Sequence, residues 1–132
     1  MKDISPLPET LQFTPDGLIP AIAQQFDTGE VLMMAWMNKD SLAETLTTGR
    51  VCYWSRSRRA FWRKGNTSGH IQKLVELRYD CDSDTILMLV DQTGAACHEG
   101  SRSCFTRRLY TDGHVSKEET AYPANKNIGA HS

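Results

Sequence analysis

The apolar residues of this chain come in short runs separated by turn-forming residues, and that spacing decides what can form its core. The longest runs are Val31–Met37 and Ile86–Val90. Neither approaches the ~18–20 apolar residues that a membrane-spanning helix needs. No long stretch repeats with the 3.6-residue period of an amphipathic helix, which argues against a helical bundle and against a βαβ nucleotide fold. Strands therefore have to supply most of the core. With 132 residues, one domain is expected over 1–132. Such a chain buries roughly two-thirds of its unfolded surface, a margin that a metal or a partner subunit would improve.

The pattern suggests where the strands lie. Ala21–Phe26 and Glu30–Trp36 flank Asp27-Thr28-Gly29, which predicts a hairpin. Asn38 or Asp40 can cap a short helix running to about Thr48. Leu42 and Leu46 share one helical face, and Gly49 stands where a left-handed stop belongs. Val51–Ser55 with Ala60–Arg63, Leu74–Tyr79 with Thr85–Val90, and Phe105–Tyr110 read as further strands. The expected fold is α+β, an antiparallel-rich β-sheet with one or two short helices. Pro6, Pro8 and Pro15 make residues 1–18 an irregular lead-in, and the small polar residues of 121–132 are expected to fray. Met1–Phe13 lacks the apolar stretch of a signal peptide, so a cytoplasmic protein without membrane attachment is expected.

Two segments carry chemistry. In Asp80-Cys81-Asp82-Ser83-Asp84, three carboxylates at alternate positions are hard oxygen donors suited to Mg²⁺ or Ca²⁺. If the segment is extended, the carboxylates share one face and Cys81 points to the other. A calcium-binding EF-hand loop is excluded, because its glycine and glutamate positions hold Thr85 and Asp91. A solvated, Asp-rich hairpin tip is the simpler alternative. Cys97 and Cys104 bracket a loop that also holds His98 and Gly100. Together with Cys81 they would make a three-thiolate zinc site with one open corner, which is the catalytic type. Cys52, within Val51-Cys52-Tyr53-Trp54, reads as a core strand residue; as a fourth ligand it would make the site closed and structural. His98 is either a further ligand or the proton-transfer group such a site needs.

Between Arg50 and Lys64 there are six basic residues and no acid, interleaved with Trp54, Phe61 and Trp62. The following Gly65-Asn66-Thr67-Ser68-Gly69-His70 is rich in glycine and hydroxyls and can form an anion-binding nest. Arginines grip phosphate and aromatic rings stack on bases. A phosphorylated nucleotide fits, and so does a zinc-stabilised module that binds single-stranded nucleic acid without catalysis. The formal net charge of −1 disfavours the extended phosphate track of the second reading.

Taken in order, Trp54-Ser55-Arg56-Ser57-Arg58, Trp62-Arg63-Lys64-Gly65, Thr67-Ser68-Gly69-His70-Ile71-Gln72, Asp80-Cys81-Asp82-Ser83-Asp84 and Cys97-His98 through Ser103-Cys104-Phe105 resemble the phosphoribosyl-AMP cyclohydrolase family. The resemblance runs from about Val31 to Arg108, and Asn66 departs from the glutamate common at its position. It implies hydrolytic opening of the adenine N1–C6 bond in 1-(5-phosphoribosyl)-AMP, the third step of histidine biosynthesis. It also implies an intertwined homodimer. Zn²⁺ would be held by Cys97 and Cys104 with Cys81 from across the subunit boundary, and Mg²⁺ by Asp80, Asp82 and Asp84. His98 is the candidate for proton transfer. Arg56, Arg58, Trp62, Lys64, Thr67, Ser68, Gly69 and Gln72 are the substrate-binding candidates. No helical second domain, of the kind fused to this one in some members, is expected.

Overall fold

The computed structural model describes residues 7–118. The expected fraying of 121–132 and the start of the lead-in lie outside that range. Eight strands and one helix follow in the order β1 (Ile19–Gln25), β2 (Val31–Met37), α1 (Lys39–Thr48), β3 (Cys52–Ser55), β4 (Ala60–Arg63), β5 (Gln72–Tyr79), β6 (Ile86–Gln92), β7 (Arg107–Leu109) and β8 (Val115–Lys117). The fold is α+β and mostly antiparallel, as the spacing of apolar runs predicted.

Local chemistry accounts for the ends of these elements. The predicted hairpin forms as β1 and β2, antiparallel from Ile19↔Met37 to Gln24↔Val31, with a bulge between Ala23 and Gln24. Asn38 caps α1: its side chain accepts from the Ser41 N–H, while the Ser41 hydroxyl accepts from the Asn38 N–H. Gly49 ends the helix at φ 78°, its N–H donating to the Thr45 carbonyl. The lead-in is irregular but anchored. Leu11 and Leu18 are buried, and the Gln12 N–H donates to the Ser83 carbonyl at 2.7 Å.

The main sheet has the order β2-β1-β6-β5, with β3–β4 and β7–β8 as separate two-stranded ribbons. Beyond the expected antiparallel pairs, β1 and β6 lie parallel, Ala21 opposite Ile86 through Gln25 opposite Val90. That pairing places β1 and β6 at the centre of the sheet. Their alternate residues Ile19, Ala21, Ala23, Ile86, Met88 and Val90 are all fully buried, with Leu32, Met37, Leu42, Val51 and Tyr53 in the same cluster. The strands β5 and β6 extend past their apolar runs until Gln72 faces Gln92. The strand β8 has no apolar run and was not anticipated; it pairs with β7 from Arg107↔Lys117 to Leu109↔Val115.

One close backbone contact shapes the region beyond β4. A Cβ added to Gly65, at φ 81°, would lie 2.5 Å from the His70 carbonyl carbon and the Ile71 nitrogen, whereas one added to Gly49 would meet nothing within 4 Å. Gly49→Ala should therefore cost only the left-handed backbone penalty, about 1–2 kcal/mol. Gly65→Ala should cost clearly more, since two backbone segments must separate; equal losses in urea unfolding would refute the contact. In the core, Met88→Ala should lower stability by about 2–5 kcal/mol in the same assay, and a loss below 1 kcal/mol would show that the core collapses freely around the gap.

Candidate active site

A cleft of about 540 Å³ opens between the β3–β4 ribbon, the Gly65–His70 loop and the loop that follows β6. The ribbon forms because Cys52 pairs with Arg63 and Ser55 with Ala60, so the basic Arg56–Arg59 turn projects from its end. Trp62 lines the cleft, its ring packed against Tyr53 with centroids 5.3 Å apart. The cleft brings together Arg58, Trp62, Lys64, Thr67 and Ser68 from the predicted substrate-binding set, and Cys97 and His98 from the predicted reacting set. These groups come from two stretches of chain, 58–70 and 95–100.

The remaining substrate candidates lie elsewhere or are differently engaged. Arg56 stacks its guanidinium over Trp36, 4.7 Å from the ring centroid. Gly69 closes its loop by donating to the Gly65 carbonyl at 2.8 Å and does not line the cleft. Gln72 is fully buried, accepting from the Tyr53 hydroxyl at 2.7 Å, so its side chain is walled off from any substrate. Lys64 lines the cleft yet is nearly buried; its ammonium donates to the Ala96 carbonyl at 2.7 Å and lies 5.1 Å from the Trp62 ring centroid. Burial lowers its pKa, and the nearby thiols of Cys104 and Cys97 act in the opposite sense.

Phe61, Arg63 and His70 also line the cleft and were not among the substrate candidates. Glu44 holds Arg63 in a two-pronged ion pair at 2.6 and 2.9 Å, and this guanidinium lowers the carboxyl pKa. His70 packs on Gly94, where an added Cβ would come within 2.7 Å of the ring. The signal for His70 was its place inside a recognised motif; the contact with Gly94 follows only from the fold.

The cysteine loop is fastened at both ends. The Cys104 N–H donates to the Leu32 carbonyl at 2.7 Å, and the Ser103 hydroxyl to the Val31 carbonyl at 2.8 Å. Arg102 donates to the Gln92 and Gly94 carbonyls, each at 2.9 Å, and to the Gln25 side-chain oxygen at 2.7 Å. These anchors bring Cys97 and Cys104 close enough for each thiol to shift the other's pKa. The Glu99 N–H, 3.4 Å from the Cys97 sulfur, lowers that thiol's pKa. Partial desolvation and then the neighbouring Cys97 push Cys104 up to about 11. Two adjacent soft donors suit a thiophilic metal such as Zn²⁺. Cys52 is a buried core residue, as expected, with its thiol pushed up to about 11 by burial.

Asp80, Asp82 and Asp84 are exposed, and one ligand atom from each lies within 4.8 Å of the others. Strand alternation is not the cause, because the segment is a turn rather than extended. Ser83 adopts φ 62°, its N–H donates to the Asp80 carbonyl at 2.9 Å, and the Asp84 N–H donates to the Asp80 carboxylate at 3.0 Å. That last contact lowers the Asp80 pKa, while Asp80 in turn raises that of Asp84. Among the described residues of one chain this is the one group of three such donors so placed, so Cys81 does not join Cys97 and Cys104 within a protomer.

A family model described as phosphoribosyl-AMP cyclohydrolase matches residues 33–106. Proteins of that name are similar over most of their lengths. The one from Rhodospirillum centenum is 70% identical over 99 residues, covering 75% of this chain and 74% of the relative. That from Acidiphilium cryptum is 64% identical over 108 residues, covering 82% and 93%, and that from Alkalilimnicola ehrlichii is 63% identical over 112 residues, covering 85% and 79%. The order of the motifs, the convergence of four of the five on one cleft and these matches agree: the chain belongs to the phosphoribosyl-AMP cyclohydrolase family of hydrolases.

Proposed function

We propose that this chain opens the adenine ring of 1-(5-phosphoribosyl)-AMP by adding water at C6 and breaking the N1–C6 bond, the third step of histidine biosynthesis, in a zinc-dependent reaction. One observation carries this reading. The basic and aromatic wall holding Arg58 and Trp62 faces the loop holding Cys97 and His98 across a single cleft.

Zn²⁺ on Cys97, Cys104 and a third thiolate would supply the Lewis acidity that lets water react near neutral pH. The rest falls to side chains. Trp62 and Phe61 offer aromatic surface to the purine. Arg58 and the backbone amides around Thr67 and Ser68 suit the two ribose phosphates. His98, beside Cys97 on the cleft wall, would take a proton from the attacking water and deliver one to N1 as it leaves C6. The water oxygen then becomes the carboxamide oxygen, the exocyclic nitrogen becomes the carboxamide nitrogen, and N1 keeps its ribosyl group. Asp80, Asp82 and Asp84 would hold Mg²⁺, which offsets the repulsion between three crowded carboxylates.

The third thiolate is assigned to Cys81 of a second copy in a homodimer. Two features support this. Cys81 follows the far end of β5, and the eight residues of that strand put it about 25 Å from the cleft end at ~3.3 Å per residue. The strand lies at a sheet edge and exposes Val75 and Tyr79, while Met34 is exposed on β2. Apolar surface of this kind suits a subunit contact. A thiolate site also calls for a reducing compartment, which favours the cytoplasm.

Turnover of phosphoribosyl-AMP, followed by absorbance, should disappear on chelation and return with added zinc; a zinc-loaded protein without turnover would refute the reading. Mixing Cys81→Ala with Cys97→Ala protein should restore part of the activity, because one kind of heterodimeric site is intact. Confirmed subunit exchange with no recovery would place Cys81 outside the site.

A further inference from the structure

The mechanism above makes no use of the buried amides beneath the cleft, yet their connections lead to both of its walls. Gln92 is 4% exposed and ends β6 on the same inward face as Ile86, Met88 and Val90. Its side-chain NH₂ donates to the His70 carbonyl at 3.2 Å, to the Thr93 carbonyl at 2.9 Å and to the Ala95 carbonyl at 3.4 Å. His70 belongs to the wall that carries Thr67 and Ser68, and Ala95 to the wall that carries Cys97 and His98. One amide group thus spans the floor of the cleft.

The orientation of that amide is forced. The Tyr53 hydroxyl donates to the Gln72 oxygen at 2.7 Å, which leaves the Gln72 nitrogen to donate to the Gln92 oxygen at 2.8 Å. The Gln92 nitrogen must then face the carbonyls, which can only accept. Flipping either amide would set donor against donor or acceptor against acceptor in a dry site, a costly arrangement. Tyr53 in turn packs on Trp62, so the chain of contacts begins and ends at the cleft. All three side chains are uncharged at neutral pH, with burial raising the Tyr53 pKa further.

We infer that Gln92, oriented by Gln72, is a positioning residue that sets the spacing between the substrate-binding wall and the reacting wall of the cleft. This rests on the function proposed above. Gln92 touches no substrate; it acts through the His70 and Ala95 carbonyls. Removing it leaves the binding wall intact but lets the Cys97–His98 wall drift. A misplacement near 1 Å can cost up to about a hundredfold in rate.

The test uses the zinc-loaded full chain. Gln92→Met keeps the side-chain length and removes the hydrogen bonds. It should lower kcat about 10- to 100-fold with KM within about threefold, zinc content unchanged, and amide hydrogen exchange over 93–97 accelerated. Thr45→Val is the control: Thr45 makes buried hydrogen bonds to the Ser41 carbonyl and the Cys52 N–H, away from the cleft. It should lower Tm without moving kcat or that exchange. If Gln92→Met does not fold, Gln72→Met takes its place, with a smaller kcat loss of the same pattern expected. Unchanged kcat in the glutamine variant, or an equal kcat loss in the control, overturns the inference. Absence of wild-type turnover would instead refute the proposed function, and the exchange comparison would still report on the amide bridge.

Discussion

A buried amide or guanidinium has to find partners, and at one end of this sheet that requirement organises everything around it. The inward faces of β1, β5 and β6 are apolar until their cleft-side ends, where Gln25, Gln72 and Gln92 take over, each no more than 4% exposed. Gln25 accepts from the Gln92 N–H at 2.9 Å and from Arg102 at 2.7 Å. Through Arg102 this polar end of the core is tied to the cysteine loop, and through Gln92 to the loops on both sides of the cleft. A loop on a sheet edge would otherwise have many conformations of similar energy; here it is bound at several points to the most rigid part of the molecule.

The chemistry of the site is separated in the same way. The thiols of Cys97 and Cys104 gather in the loop after β6, the three carboxylates and the thiol of Cys81 lie in the β5–β6 turn, and a β-strand's length separates the two groups. Among the described residues of one chain no third donor joins this thiol pair, so the proposed zinc site depends on assembly. The positive charge is local as well. Arg58 and Lys64 sit at the cleft in a chain whose net charge is −1, so attraction for a phosphorylated substrate arises from placement, not from bulk composition.

Much of this was legible in the residues. The hairpin around Asp27–Gly29, the capped helix ending at Gly49, the β3–β4 ribbon and the core position of Cys52 follow from period, caps and turn chemistry, which act over a few neighbouring residues. The ordered motifs pointed to the family because they combine residue types that share no reason to recur together except a common site. Gln92 was not legible: the expected strand stopped at Val90, and the three carbonyl partners of Gln92 come from segments that meet only in the folded chain. Lys64 and Gln72 looked alike as polar groups near a glycine loop. Only packing shows that one reaches the cleft wall while the other is sealed beneath it.

By itself, then, the order of residues determined seven of the eight strands, the capped helix, the donor types and the family, since each depends on local geometry or on residue chemistry. The tertiary structure alone decided that β1 runs parallel to β6, that a turn rather than a strand gathers the three aspartates, and that Cys97 lies near Cys104 while Cys81 stays apart from both. Those outcomes depend on how segments far apart in the chain share buried surface and hydrogen bonds, and no local pattern encodes that balance.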